Sequence, residues 1–140
     1  MNVLVVEPGY LPYEKEVSND LKDLQTIVGG GIEAIYPFDD YVAVVINADR
    51  ENYRAGFNRT ITERGYGAVF GTFFICSIEG EHFASLTSQQ MEVYKKRFGK
   101  AENLLAFEGG NQVFTQKVVA LPKPCKKRNR TAKKSKRNTR

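Results

Sequence analysis

Short runs of apolar and β-branched residues alternate with polar turns along the first half of the chain, a pattern that predicts β-strands. The first run ends at the turn pair Pro8-Gly9. Residues 42–46 contain no polar side chain, so we expect that strand to be central in its sheet and covered on both faces. The predicted strands of this half are residues 2–7, 13–17, 32–36 and 41–46.

The second half of the chain shows a less regular pattern of strands. Residues 49–67 are polar and predict a long excursion with one irregular hairpin. Residues 68–78 are strongly apolar and predict a second core strand, with a bulge at Gly71. Residues 110–121 predict one or two edge strands, after which two prolines mark the exit from the fold.

Helical spacing of apolar residues occurs twice. In the first helix, capping residues 18–20 precede Leu21, Leu24 and Val28, and Gly29 ends the helix. The second helix opens with a Thr-x-x-Gln capping box. Its signals are Thr87, Gln90, Met91, Tyr94, Phe98 and the terminating Gly99. The predicted architecture is therefore a single α+β domain, a mostly antiparallel sheet with two short helices.

Charge divides the chain into two regions of opposite sign. Residues 123–140 hold ten of the twenty-one Lys and Arg and no Asp or Glu. Residues 1–122 hold eleven basic and sixteen acidic side chains, a net charge of −5. A segment so basic and so poor in apolar residues cannot build a core, so it is predicted to be disordered. We therefore assign residues 1–122 to a globular domain and residues 123–140, called the basic tail below, to a disordered extension.

The remaining composition sets expectations about compartment. The N-terminus lacks the features of a signal peptide, and no apolar run approaches the length of a membrane span. We therefore expect a soluble, cytoplasmic protein with no membrane partner. Cys76 in an apolar run and Cys125 in the basic tail are expected to stay reduced rather than to form a bridge.

A series of short motifs spans about residues 3–98. They are Val3-Leu4-Val5-Val6-Glu7-Pro8-Gly9, Pro12-Tyr13, Leu24-Gln25, Val28-Gly29-Gly30, Ile32-Glu33-Ala34-Ile35-Tyr36-Pro37-Phe38-Asp39, Val42-Ala43-Val44, Asn47, Asn58-Arg59, Gly71-Thr72-Phe73-Phe74-Ile75 and Ser85-Leu86-Thr87. In this order they resemble domain-of-unknown-function family 3846 of Gram-positive bacteria, phages and conjugative elements. The basic tail departs from the family's usual short form. The resemblance implies a mobile-element accessory protein that deals with host defence, and it implies no catalytic residues.

The chain carries no set of residues typical of an enzyme. The only histidine, His82, lies in a polar stretch without a neighbouring nucleophile, and Cys and His are too few for a structural zinc site. Asp39 and Asp40 invite comparison with a magnesium nuclease, but no Asp-x-Lys or Glu-x-Lys follows them, and a turn that caps a strand is the preferred interpretation. We therefore predict a non-enzymatic protein with no metal and no cofactor.

Several polar residues near the ends of predicted strands are candidates for a ligand site. Arg presents a planar fork to phosphate, and Asn can hydrogen-bond a base or ribose edge, so a nucleotide-like ligand is the class expected. The candidate residues are Tyr36, Asn47, Asn58 and Arg59. The alternative is that Arg59 pairs with Glu63 or Asp49 and pins the loop.

The basic tail is the clearest functional signal. We expect it to bind the phosphate backbone of DNA or RNA by releasing counterions, and without an aromatic residue it is not expected to read sequence. Its ten cations are Lys123, Lys126, Lys127, Arg128, Arg130, Lys133, Lys134, Lys136, Arg137 and Arg140. A solubility tail, an anchor on anionic lipid and a dock for an acidic protein are the alternatives.

Charge and resemblance together favour one whole function. The chain is predicted to be a non-enzymatic accessory protein that binds nucleic acid through the basic tail and a host or phage partner, such as a defence protein, through its acidic body. One alternative is a protein that sequesters a phosphate-bearing nucleotide signal. An enzyme acting on nucleotides or nucleic acid is the third.

Overall fold

The computed structural model describes residues 1–108 and 113–124 of the 140-residue chain. The described residues form one α+β domain. Its strands are β1 (Asn2–Val6), β2 (Tyr13–Glu16), β3 (Ile32–Ile35), β4 (Val42–Asn47), β5 (Phe57–Ile61), β6 (Gly67–Phe70), β7 (Phe73–Glu79), β8 (His82–Ala84), β9 (Lys100–Phe107) and β10 (Val113–Val119). Its helices are α1 (Leu21–Val28) and α2 (Ser88–Arg97), with short 3-10 helices at Tyr53–Ala55 and Glu63–Gly65.

A six-stranded antiparallel sheet forms the centre of the domain. The strand order is β2-β1-β7-β4-β3, and β8 pairs with the end of β7. Side chains alternate across the sheet, so β1 buries Val3 and Val5 with α1 on one face, and Leu4 and Val6 with α2 on the other. All six residues of β4 are buried, which confirms that this predicted strand is covered on both faces.

Both predicted helices form, and the predicted signals at the end of α1 and the start of α2 are confirmed. Asp20 at the start of α1 makes no side-chain capping hydrogen bond, and Phe98 rather than Gly99 is the C-cap of α2. Gly29 follows α1 with a φ of 83°, a left-handed conformation that glycine adopts without strain. At the start of α2, the Thr87 hydroxyl accepts a hydrogen bond from the Gln90 amide at 3.1 Å. The Gln90 side chain accepts one from the Thr87 amide at 2.9 Å, which completes the capping box.

The prediction of one core strand over residues 68–78 is wrong. Gly71, with a φ of 83°, divides that run into β6 and β7. β6 pairs with β5 in a separate two-stranded sheet, whereas β7 is the central strand of the main sheet. The left-handed turn at Gly71 lets the chain change direction. In place of the expected bulge within one strand, the strand ends there and a second strand begins in another sheet. The irregular hairpin predicted within residues 49–67 instead consists of β5 and β6, with a register shift between Phe57 and Arg59.

The chain after α2 forms an antiparallel ribbon of β9 and β10, called the C-terminal ribbon below. β9 has no counterpart among the predicted elements, and β10 lies within the predicted edge-strand segment. The ribbon returns to the loop that follows β1, where Leu121 forms a parallel bridge with Tyr10. The Leu11 amide donates to the Leu121 carbonyl at 2.8 Å, and the Leu121 amide donates to the Gly9 carbonyl at 3.1 Å.

The structure bears on two expectations from the sequence, the lack of a membrane span and the reduced state of the two cysteines. No helix within residues 1–108 and 113–124 is long and apolar enough to cross a membrane. Cys76 is buried in β7, and burial raises the pKa of its thiol to about 12. Cys125 lies outside the described residues, so the expectation that the two thiols stay apart remains a prediction. The basic tail beyond Pro124 also lies outside them.

Candidate functional site

Asn58 lies on β5 with its side chain fully buried. Its Nδ2 donates to the main-chain carbonyls of Val6 at 2.9 Å and Gly71 at 2.8 Å. Its Oδ1 accepts from Nη1 of Arg59 at 2.9 Å. Both donors and an acceptor lone pair are therefore used within the fold, and the side chain joins the end of β1 to the turn between β6 and β7.

Arg59 is fully buried even though it carries a charge. Its Nη2 donates to the carbonyls of Tyr10 at 2.8 Å and Phe98 at 2.9 Å, and Nη1 lies 3.5 Å from the Glu7 carbonyl. Because Phe98 follows the last turn of α2, the guanidinium also lies at the negative end of the helix dipole. Burial lowers the pKa of Arg59 to about 10, while Glu102 opposes that shift.

The proposed pairing of Arg59 with Glu63 or Asp49 is wrong. Arg97 binds Glu63 in a bidentate pair, with N–O distances of 2.7 and 2.8 Å. Asp49 accepts from the Glu51 amide at 3.1 Å instead. Arg59 does pin its surroundings, but it does so through carbonyl groups, because the loop after β1 and the end of α2 present carbonyl oxygens toward it.

The other two ligand candidates lie elsewhere. Asn47 is buried at the end of β4, where its Nδ2 donates to the Val28 carbonyl at 3.2 Å and its Oδ1 accepts from the Asp49 amide at 2.8 Å. Tyr36 follows β3 and is 49% exposed. Within the described part of the chain, no hydrogen bond links either residue to Asn58 or Arg59. The four candidates therefore do not form one ligand site in this structure.

A small cavity lies beside Asn47 and is lined mainly by β3, β4 and β6, with Arg50 and Tyr66. Its volume is about 20 Å³. A cavity of that size holds about one water molecule. It does not accommodate a nucleotide.

Asp39 and Asp40 occupy the turn that the preferred interpretation gave them. Asp40 accepts from the Tyr41 amide at 2.8 Å and from the Tyr94 hydroxyl at 2.9 Å. Asp39 pairs with Arg64 at 2.6 Å. Among the residues that the structure describes, no group of three or more His, Cys, Asp or Glu side chains is placed to hold a metal ion. His82 is exposed at the start of β8.

The loop after β1 presents a further cluster, which the sequence interpretation did not find. The Glu7 carboxylate accepts from Nζ of Lys123 at 2.8 Å and from the Tyr13 hydroxyl at 2.5 Å. Nζ of Lys123 also lies 4.8 Å from the centre of the Tyr10 ring. We call Glu7, Tyr10 and Tyr13 the Glu7 site. No sequence signal reveals it, because Lys123 follows Glu7 by 116 residues.

Electrostatics within the Glu7 site favour the neutral form of Tyr13. Burial, together with the hydrogen bond to Glu7 and its negative charge, raises the pKa of Tyr13 well above its usual value. The Lys123 and Glu7 side chains are 24% and 21% exposed, respectively. Tyr13 therefore acts as a hydrogen-bond donor that fixes the carboxylate, rather than as an acid at neutral pH.

Of the ten predicted nucleic-acid-binding residues, the structure describes Lys123 alone. The other nine lie outside the described residues, namely Lys126, Lys127, Arg128, Arg130, Lys133, Lys134, Lys136, Arg137 and Arg140. The ion pair with Glu7 therefore fixes where the basic tail leaves the body, while its role in binding stays a prediction.

Comparison with known families gives a match for most of the chain. The model of a family described as Domain of unknown function (DUF3846) matches residues 1–99. The match ends just before β9, so the C-terminal ribbon and the basic tail lie outside it. No curated protein and no solved structure matches the chain.

Proposed function

This chain belongs to the DUF3846 family, and from that premise we propose that it is a non-enzymatic accessory protein of a phage or other mobile element. It binds DNA or RNA through the basic tail, and it binds a host or phage partner, such as a defence protein, through its acidic body. The family description names no activity, so the proposal depends on the residues of this chain.

The separation of charge carries the proposal. Ten cations lie within the last eighteen residues without an acidic residue among them, while residues 1–122 carry a net charge of −5. Neutralising nucleic-acid phosphates with Lys and Arg releases condensed counterions, which is the main source of sequence-independent affinity. The acidic body is repelled by the same phosphates, which leaves its surface for a different partner.

The geometry of the other candidates also supports the tail over a ligand pocket. Asn58 and Arg59 are fully buried and hydrogen-bonded within the fold. The cavity beside Asn47 is too small for a nucleotide. A nucleotide site built from Asn58, Arg59 and Asn47 is therefore not favoured.

The test is fluorescence-anisotropy binding of labelled duplex DNA and RNA across a salt series. The matched variant keeps the length of the chain and replaces the nine Lys and Arg of residues 126–140 with Gln. If about half of the tail cations engage duplex DNA, the plot of log K against log salt should have a slope of about −4 to −5. We expect the variant to lose that binding. Equal binding by both proteins would refute the tail as the interface.

The partner of the body needs a separate measurement. Co-purification from the host, with the wild-type chain and the nine-Gln variant side by side and nuclease present, separates the two halves of the proposal. A partner held by the body should remain with the variant. Proteins recovered with wild type alone would belong to the tail, and the second half of the proposal would fail.

A further inference from the structure

The contacts around Lys123 differ from those of an ordinary surface ion pair. Its ammonium group contacts a carboxylate oxygen of Glu7 at 2.8 Å and faces the Tyr10 ring at 4.8 Å. A carboxylate and an aromatic face are the two groups that attract an alkylammonium ion. The exposed pair of Lys95 and Glu14 has side chains 38% and 54% exposed, whereas those of Lys123 and Glu7 are 24% and 21% exposed.

The rest of the fold holds this arrangement in place. The Tyr13 hydroxyl occupies the second oxygen of the Glu7 carboxylate, which orients the first toward Lys123. Nη2 of the buried Arg59 donates to the carbonyl of Tyr10 at 2.8 Å, so a hydrogen bond from the interior of the domain fixes the loop that carries the Tyr10 ring. Preorganised groups bind with a smaller loss of conformational entropy than mobile ones do.

The chain also delivers Lys123 to these groups. Two main-chain hydrogen bonds tie Leu121 to Gly9 and Leu11, two residues before the lysine. The chain after the C-terminal ribbon thus reaches the loop that follows β1, which carries the Glu7 carboxylate and the Tyr10 ring.

We propose that Glu7, Tyr10 and Tyr13 form a binding site for the primary ammonium group of a lysine side chain, occupied in cis by Lys123. The site fixes the origin of the basic tail against the body. This contact removes Lys123 from the ten tail cations that were predicted to bind nucleic acid, so the cations that reach a polyphosphate begin at Lys126. This second statement rests on the proposed function.

Acylation of lysine amines tests the site in the full-length chain. The protein is treated with a limiting amount of N-hydroxysuccinimidyl acetate, and each modified lysine is quantified by mass spectrometry. The amine of Lys123 must leave the carboxylate and the ring before it reacts, so we expect it to react about fivefold more slowly than Lys126. Glu7→Gln should remove most of that difference.

The chain offers a reciprocal control. Glu14→Gln should speed the acylation of Lys95, its partner at 2.6 Å, and leave Lys123 protected. Tyr10→Leu removes the ring but keeps the carboxylate and the main-chain bonds, so it should deprotect Lys123 in part. If Glu7→Gln unfolds the protein, Tyr10→Leu still tests the site. Acylation of wild-type Lys123 at the rate of Lys126, or protection that survives both variants, would overturn the site.

The salt dependence of DNA binding tests the second statement. Each lost phosphate contact lowers the magnitude of the slope by about 0.9. Lys123→Ala should leave the slope unchanged, whereas the double variant of Lys126 and Lys127 to Ala should lower it by about 1 to 2. A fall of about 0.9 in the magnitude of the slope for Lys123→Ala would place Lys123 in the interface and overturn this statement. If wild type binds no nucleic acid, the proposed function fails, while the acylation result still decides the site.

Discussion

At the scale of single residues, a buried guanidinium links three segments of the chain through hydrogen bonds, a role that main-chain hydrogen bonds usually have. Arg59 joins β5, the loop after β1 and the end of α2 through hydrogen bonds to the carbonyls of Tyr10 and Phe98. These segments share no strand pairing. A charged side chain is buried at such a place when most of its donors meet acceptors. Both Nη atoms of Arg59 do so, whereas its buried Nε has no hydrogen-bond partner among the described residues.

Replacing Arg59 with Met should destabilise the fold strongly. The change keeps an unbranched side chain of similar length but leaves the carbonyls of Tyr10 and Phe98 buried without a donor. We expect a loss of about 2 to 4 kcal/mol in the free energy of unfolding, measured by urea denaturation. Arg50→Met is the matched control, because the side chain of Arg50 is 46% exposed. A similar small loss for both variants would show that the Arg59 contacts add little.

The sequence could single out Asn58 and Arg59, but it could not show what they contact. Two adjacent polar residues in a polar segment resemble a ligand site, since nothing local indicates burial. Three of the carbonyls that they bind, those of Val6, Tyr10 and Phe98, lie 39 to 52 residues away along the chain, and that of Gly71 lies 13 residues away. Burial of a charged residue depends on that long-range placement, which a single sequence does not contain.

At the scale of elements, the pair of Glu63 and Arg97 ties the last turn of α2 to the 3-10 helix before β6, and it predicts an acid-sensitive stability. The hydrogen bond from Arg97 holds the pKa of Glu63 below its usual value of about 4.5. The unfolded chain therefore binds this proton at a higher pH than the folded one. The contribution of the pair is complete above that usual value and is lost as the pH falls through the lower, folded value.

Glu63→Gln should consequently flatten the acid branch of the stability curve. Urea unfolding of wild type and variant at several pH values between about 6 and about 3 gives the comparison. Arg97→Gln removes the cation instead, and it should flatten the same branch. A variant that retained the full acid loss of wild type would exclude this pair as its source.

Gly71 sets the boundary between two elements, and its replacement tests why residues 68–78 are not one strand. Gly9 and Gly71 have nearly the same left-handed φ, 82° and 83°. A Cβ at Gly71 would lie 3.0 Å from Asn52 Nδ2 and 3.1 Å from Ala55 Cβ, whereas a Cβ at Gly9 meets nothing within 4 Å. Gly9→Ala should cost about 1 to 2 kcal/mol from backbone strain alone. Gly71→Ala should cost at least about 1 kcal/mol more, by urea denaturation, because of the added crowding.

Local signals explain which elements were predictable. The capping box marks the start of α2 and Gly29 marks the end of α1. Each signal lies within a few residues of its helix, so both helices were predictable from the sequence. β9 was missed because the segment Lys-Ala-Glu-Asn-Leu-Leu-Ala-Phe has no strand alternation of its own. Its extended conformation comes from pairing with β10, whose residues lie up to nineteen positions later.

At the scale of the whole molecule, the described residues divide into a matched domain and an addition. The matched domain contains the six-stranded sheet and both helices, whereas the C-terminal ribbon begins at the first residue after the match. The ribbon is attached through the Glu102 carboxylate, which accepts from the Thr60 amide at 3.0 Å, and through Phe107, which packs on Phe70. Leu105 and Phe114 within it are 65% and 58% exposed.

Native-state hydrogen exchange should therefore distinguish the two parts. A two-stranded ribbon is marginal by itself, and this one has few buried apolar side chains to add stability. We expect the amides of β9 and β10 to exchange through openings about 2 kcal/mol or more below the global unfolding free energy. The amides of β1, β4 and β7 should exchange only through global unfolding, and they serve as the internal reference.

A low concentration of urea makes the comparison decisive. Amides that exchange through global unfolding become faster with the full denaturant dependence of unfolding, while those in a local opening change little. If β9 and β10 follow the dependence of β7, the ribbon unfolds together with the sheet. The hydrogen bonds of Leu121 and the contacts of Lys123 in the Glu7 site would then be part of one cooperative unit, and the basic tail would start from the most stable part of the molecule.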